Sequence, residues 1–323
     1  MASADAGRPF ESDLVPLGGG VVLALARVEG LGSPTTLSVS RDDGGSFARV
    51  GAPPRIVAVG GEADHWLALT SDALHESRDG GNRWERTPLP SLATVAGGPW
   101  AAVACVDGPT WVLGGDAIVV ADDGGWRRAY SAPPFTLPIM LTDWRDLGDA
   151  GRFVIGSPTR IYRVPPAGGD RLEDWSAGLP LPTTVGEGAP PLGRVGDLLV
   201  AGLYVRRLGD AAWQPLPSAS GDRRLDWIKR AYADEWLAAP WAPDTWVGFS
   251  WDAIHVADDA GGLRQPWRAS NPQRGTIKAL RTGDRAAFAS FRRAGDDAAG
   301  LRIDDAGVAV VTLVDADPRH HGA

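Results

Sequence analysis

Asp72-Ala73-Leu74-His75-Glu76-Ser77-Arg78-Asp79-Gly80-Gly81 is a short alternating run closed by an acidic, glycine-rich turn. Such alternation predicts a half-covered strand, and Asp-Gly-Gly predicts a tight reversal into the next one. The form returns as Thr36-Leu37-Ser38-Val39-Ser40-Arg41-Asp42-Asp43-Gly44-Gly45, as Asp116-Ala117-Ile118 running to Asp123-Gly124-Gly125, and as Asp252-Ala253-Ile254 running to Asp259-Ala260-Gly261. Fainter copies fill the intervals: Ile161-Tyr162-Arg163-Val164 before Pro165-Pro166, Val205-Arg206-Arg207-Leu208 before Gly209-Asp210, and Leu301-Arg302-Ile303 before Asp304-Asp305. The turn aspartates or their equivalents stand at 42, 79, 123, 166, 210, 259 and 305, between 37 and 49 residues apart. Seven units of about 45 residues predict an all-β fold, a seven-bladed β-propeller of four-stranded antiparallel blades.

The glycine- and proline-rich run 178–193 leaves open a ring of six blades with an insertion there. A single propeller domain is expected over residues 13–315, between a flexible N-terminus (1–12) and a flexible C-terminal tail (316–323). In the second unit the strands read as Ile56–Val59, His65–Leu69, Leu74–Ser77 and Arg83–Arg86. In the sixth they read as Trp227–Lys229, Thr245–Phe249, Ile254–Val256 and Pro266–Arg268. No helix of useful length is expected. The units run in phase from Leu14 to Leu313, so closure is expected from side-chain packing between the first and last blades, with fraying at the termini.

The bulk composition agrees. The 42 glycines and 26 prolines are spread between short apolar runs, as many turns require, and 14 tryptophans against 7 phenylalanines imply repeated use of indole rings. A net charge of -8 argues against nucleic acid and against an anionic membrane as partners. The one cysteine, Cys105, excludes an intrachain disulfide and a multi-thiolate metal site; its apolar surroundings predict a buried, inert thiol. No apolar run is long enough to span a membrane and no secretory leader is visible. The expected location is the cytoplasm, or outside the cell if a leader has been removed.

The turns resemble the Asp-box, or BNR repeat, of sialidase-like, sortilin-like and photosystem assembly-factor propellers, whose pattern is Ser-x-Asp-x-Gly-x-x-Trp. Ser77, Asp79, Gly81 and Trp84 match it fully; Ser40, Asp42, Gly44 and Phe47 match with another aromatic; Asp123 with Gly125 and Asp259 with Gly261 are partial. The resemblance implies a structural turn that lies away from the ligand face. Physically, the aspartate accepts free turn N–H groups, glycine adopts the φ values the turn needs, and the ring fills the wedge between blades.

No catalytic motif emerges. The early arginine-proline segment of sialidases is absent, and no tyrosine can be paired with a glutamate. His65, His75 and His255 are scattered, no turn carries a calcium ligand ladder, and no phosphate loop is present, so neither metal nor cofactor is expected. The inner strands, which border the channel, supply the candidate ligand-binding residues: Arg55, Trp144, Arg145, Trp227, Lys229, Arg230, Lys278 and Arg281. Asp143-Trp144-Arg145 and Asp226-Trp227-Ile228-Lys229 look like matching stations of blades four and six, and their cations are expected to attract an anionic ligand or an acidic peptide. Residues 232–244 read as a long loop offering Trp236 and Trp241 as aromatic anchors. These features point to a non-catalytic binding or assembly propeller for a protein or peptide. The alternative is a carbohydrate-binding propeller or a glycoside-active or other biosynthetic enzyme, with Asp143, Asp226 and Glu235 as candidate carboxylates. Blades can also use their polar ends merely to meet water and their indoles merely to pack.

Overall fold

The structure is a computed structural model. It describes residues 10–28, 35–90, 100–106, 109–122, 125–133, 140–157, 160–165, 170–180, 192–218, 221–231, 233, 235–260, 262–270, 276–293 and 298–313. Seven four-stranded antiparallel sheets each take their strands consecutively from the chain. This is the expected seven-bladed ring, and the six-bladed alternative falls.

Blade one comprises β1 (Phe10–Gly18), β2 (Val21–Val28), β3 (Thr35–Ser40) and β4 (Ala48–Arg49). Blade two has β5 (Ala58–Glu62), β6 (His65–Leu69), β7 (Ala73–Ser77) and β8 (Glu85–Pro88). The third blade has β9 (Trp100–Cys105), β10 (Thr110–Gly114), β11 (Ala117–Asp122) and β12 (Gly125–Ser131). In blade four they are β13 (Met140–Asp146), β14 (Arg152–Ser157), β15 (Arg160–Arg163) and β16 (Glu173–Asp174). Blade five is the shortest, with β17 (Gly193–Val195), β18 (Leu198–Ala201), β19 (Tyr204–Arg207) and β20 (Gln214–Pro215). Next come β21 (Glu235–Ala238), β22 (Thr245–Ser250), β23 (Ala253–Asp258) and β24 (Gly262–Arg268) of blade six. Blade seven closes with β25 (Thr276–Thr282), β26 (Ala287–Arg293), β27 (Ala298–Asp304) and β28 (Gly307–Thr312).

Two expectations are corrected. The inner strand of blade two begins at Ala58, not Ile56. The larger change is a helix, α1 (Arg223–Ala231), between blades five and six. Trp227–Lys229 therefore lies on α1, and the inner strand of blade six is β21. Asp222 starts the helix, its carboxylate accepting the N–H of Arg224 at 3.0 Å. Trp227, Ile228 and Ala231 form its buried side, while Lys229 and Arg230 sit in the last turn, where the helix dipole favours cations. Those apolar residues pack with Val195, Leu198 and Val200 of blade five and Trp246 of blade six, so α1 fills the wedge between the two blades.

Among the described residues the ring closes without strand exchange. The Ser12 hydroxyl accepts the Phe291 N–H at 3.1 Å, the Ser290 hydroxyl accepts the Leu14 N–H at 2.9 Å, and the Asp284 carboxylate accepts the Gly19 N–H at 2.7 Å. Buried serines thus replace the missing ladder between β1 and β26.

The repeated turns do repeated work. In blade two Ser77 donates to Asp79 at 3.0 Å and accepts the Gly81 N–H at 2.9 Å, while Asp79 accepts the Arg83 N–H at 2.9 Å. Blade one repeats the arrangement: Ser40 donates to Asp42 at 2.7 Å and accepts the Gly44 N–H at 2.7 Å, and Asp42 accepts the Ser46 N–H at 2.9 Å. Outer-strand indoles then tie blade to blade. Trp84 donates to the Gly51 carbonyl, Trp126 to Pro88 and Trp213 to Trp175, each in the preceding blade. At the opposite face the aspartates that open the repeat, Asp72, Asp116 and Asp252, pair with the outer-strand residues Arg86, Arg128 and Arg268 at 2.7–3.0 Å. Blade seven departs from the pattern, because Asp304 rather than Asp305 accepts the turn N–H groups of Ala306 and Gly307. Asp259 is exposed and offers its carbonyl to Arg223, while Asp123 and Gly261 lie outside the described residues.

Candidate functional site: the central channel

The inner strands of blades one, two, three, four, six and seven enclose a channel of about 930 Å³. No described residue of blade five lines its wall. Its inner strand is pressed against blade six: a Cβ on Gly193 would stand 2.1 Å from the Trp236 carbonyl oxygen. Blades two and three supply a wall of small apolar residues, Val57–Gly61 and Ala101–Cys105, and the opposite side is charged.

The charged groups pair with one another. Arg145, on β13, reaches past blade five to Glu235 on β21, Nε to Oε1 2.6 Å, and also binds Asp143 at 2.5 Å. Glu235 is 1% exposed and uses its second oxygen to accept the Leu280 N–H at 3.3 Å. Arg281 approaches Asp143 at 3.5 Å. Across the blade-one seam Lys278 binds Glu11 at 2.7 Å and Asp13 at 2.8 Å, and Arg27 also contacts Asp13. Burial pushes Asp143 up, but the guanidinium groups of Arg145 and Arg281 outweigh it and hold the carboxyl at about 2. Asp13 is likewise held below its ordinary value, since Lys278 and Arg27 overcome burial. Arg145 is pulled down by burial and raised by Asp143 and Glu235, so it stays charged.

This pairing has a pH consequence. Both aspartates have lower pKa values folded than unfolded, so their contacts stabilise the fold above about pH 4 and are lost as pH falls through the folded values. The urea midpoint is expected to decline already from pH 7 to 5, because burial holds His255 at about 4 and also lowers His75 while the unfolded imidazoles take up protons. It should fall further between pH 4 and 2 as the two aspartates protonate. Asp143→Asn should flatten part of that fall.

Of the candidates, Trp144, Arg145, Lys278, Arg281, Asp143 and Glu235 line the channel. The cations are neutralised by neighbours and do not form an anion-focusing funnel. Asp226, Trp227, Lys229 and Arg230 are carried away from it on α1; Trp227 is buried, and Lys229 donates to the Ser218 carbonyl. Arg55 is exposed in the turn before β5, with left-handed backbone (φ 58°), and lies off the channel wall. Trp236 is 0% exposed in the core between blades five and six, and Trp241 is partly buried against the separate cluster of Leu237, Ala239 and Val247; neither protrudes. Among the described residues no group of three or more His, Cys, Asp or Glu side chains is placed to hold a metal ion. No helix among them is long and apolar enough to cross a membrane.

Three features of the channel were not singled out in the sequence. Glu11, Asp13 and Arg27 complete its ionic lining. Trp251 occupies the turn between β22 and β23, on the upper face with the other second-to-third-strand turns; it lines the channel mouth and is 53% exposed. Its position directly before the repeated Asp-Ala pair was a usable signal for an exposed turn. Cys105 is half-buried on the channel wall with its sulfur 3.6 Å from Nδ1 of His65, which corrects the expectation of a fully buried thiol.

Fold and channel together define a seven-bladed β-propeller with an ion-paired interior and an aromatic rim. Solved structures align with it over nearly the whole chain. YCF48 bound to D1 peptide aligns with a TM-score of 0.60 at 14% identity, covering 96% of this chain and 95% of that one. YCF48 from Cyanidioschyzon merolae gives 0.59 at 14% identity, covering 97% of each chain. A streptogramin B lyase gives 0.57 at 14% identity, covering 96% of this chain and 95% of its own. No protein-family model and no curated protein sequence matches the chain. At this identity the likeness is one of fold.

Proposed function

We propose that the protein is a non-catalytic binding propeller that engages a peptide segment of a partner at the upper mouth of its channel, with Trp251 as the anchor. The observation that carries this reading is the half-exposed indole of Trp251 on the wall of a channel whose charged groups are already paired. Aromatic side chains at the centre of a concave surface supply much of the affinity for peptides. Enzymatic use of the carboxylates finds no support: Asp143 is held at about 2 and cannot serve as a proton donor at neutral pH, and Glu235 is bound to Arg145. The aligned YCF48 structure, which holds a D1 peptide, supports the peptide reading; the aligned lyase shows that the fold also serves enzymes. We further read the Ser40–Phe47 and Ser77–Trp84 turns as Asp-boxes, on the strength of their shared serine–aspartate hydrogen bonds.

The test is selection from an immobilised library of random peptides, followed by titration of a selected peptide. Trp251→Ala is expected to weaken binding about tenfold or more while leaving the melting temperature in place. Unchanged affinity in that variant, or capture of glycans and no peptide on a parallel glycan array, would overturn the reading.

A further inference from the structure

At the opposite mouth of the channel three side chains from blades two and three form a relay. Cys105 ends β9; its sulfur lies 3.6 Å from Nδ1 of His65, at the start of β6. Nε2 of His65 lies 3.3 Å from Oε2 of Glu76, on β7. A carboxylate beside Nε2 fixes the hydrogen there and leaves Nδ1 free to accept, so the imidazole faces the thiol as a base. Cys105 lines the channel and is half-buried, packed beside the cluster of Leu67, Trp100 and Val103 between blades two and three.

We propose that Cys105 is a covalent capture site for neutral α,β-unsaturated carbonyl compounds entering the channel, with His65 taking the thiol proton and Glu76 holding the imidazole in place. In the step, the thiol proton passes to Nδ1 and sulfur forms a bond to the β-carbon. The π electrons of the alkene shift towards the carbonyl, and the α-carbon then receives a proton from the imidazolium. One bond to sulfur and one to hydrogen form, one π bond is lost, and nothing leaves, so no oxidant or reductant is required.

The surroundings say why a base is needed and why the ligand is neutral. Burial, then Glu62, pushes the thiol up to about 11; Glu76 adds to this, and Thr110 and Arg78 oppose it. The resting group is therefore the thiol, and its reactivity depends on proton transfer during attack. Glu62 and Glu76 together disfavour an anionic reagent.

The proposal concerns a different mouth from the peptide site and does not depend on it. The probe is N-ethylmaleimide on the full chain, followed by intact mass; Cys105 is the one cysteine, so one adduct reports one site. His65→Gln is expected to slow modification at least tenfold, and Glu76→Gln, at a half-buried position, several-fold with the circular dichroism unchanged. The wild-type rate should rise less than tenfold per pH unit between pH 6 and 9, and His65→Gln should rise tenfold per unit. Equal rates in wild type and Glu76→Gln, or a wild-type thiol that reacts only after unfolding in urea, would overturn the proposal.

Discussion

Replacing Glu235 by alanine is expected to destabilise the fold by about 3–5 kcal/mol, as breaking a buried ion pair typically does. Glu235 is almost wholly shielded from water and accepts from both Arg145 and the Leu280 N–H. Its removal leaves the Arg145 Nε without its acceptor, with only Asp143 and the Trp144 carbonyl still holding the guanidinium, and strips the Leu280 amide of its partner, inside a protein where neither can be rehydrated cheaply. Arg145 cannot escape by losing its proton. Glu235→Gln should recover only part of the loss, because its single amide oxygen can accept from Arg145 or from the Leu280 N–H while its NH2 group faces the other donor. Urea unfolding of the two variants checks the order. The consequence is architectural, since this pair joins blades four and six across the short blade five.

Trp236→Ala is expected to cost a further-reaching loss of packing, about 3–5 kcal/mol, read as a fall in melting temperature. The indole lies in the core between blades five and six, over Gly248, where an added Cβ would sit 2.6 Å from the ring. Its N–H has no acceptor among the described residues, so packing alone carries its contribution. Trp236→Phe should therefore be milder than Trp213→Phe, which also forfeits the hydrogen bond to the Trp175 carbonyl. Trp251→Ala should stay within about 0.5 kcal/mol of wild type. The two indoles stand fifteen positions apart in one blade, yet one is scaffold and the other is surface.

That contrast shows what the sequence makes legible. The Asp79-Gly80-Gly81 turn was readable because its physics is local: a serine, a carboxylate and two glycines satisfy one another within five residues. Turns of this kind in blades one and two, with fainter copies along the rest of the sequence, were enough to give the period of the ring. The helix was also within reach, since Asp222 is a capping residue ahead of an apolar set at Trp227, Ile228 and Ala231; the expectation of strands at fixed spacing overrode it. Once Trp227 was read as a strand, Glu235 and Trp236 were displaced into a loop they do not occupy. Asp143-Trp144-Arg145 was correctly placed on the channel, but its meaning depended on Glu235, ninety positions away, and no local pattern reveals that pairing. A cation reads as a ligand group until its partner is known. For Lys278 the partners are Glu11 and Asp13 at the other end of the chain, joined only when the ring closes.

The central claim is that recognition belongs to the upper rim at Trp251 while the ionic lining belongs to the scaffold. A crystal structure of the chain with a library-selected peptide tests it most directly. The account predicts the peptide seated against the Trp251 indole at the channel mouth, with the Arg145–Glu235 pair intact beneath it. A peptide bound instead along the acidic glycine turns of the lower face, or one that displaces Glu235 from Arg145, would contradict it.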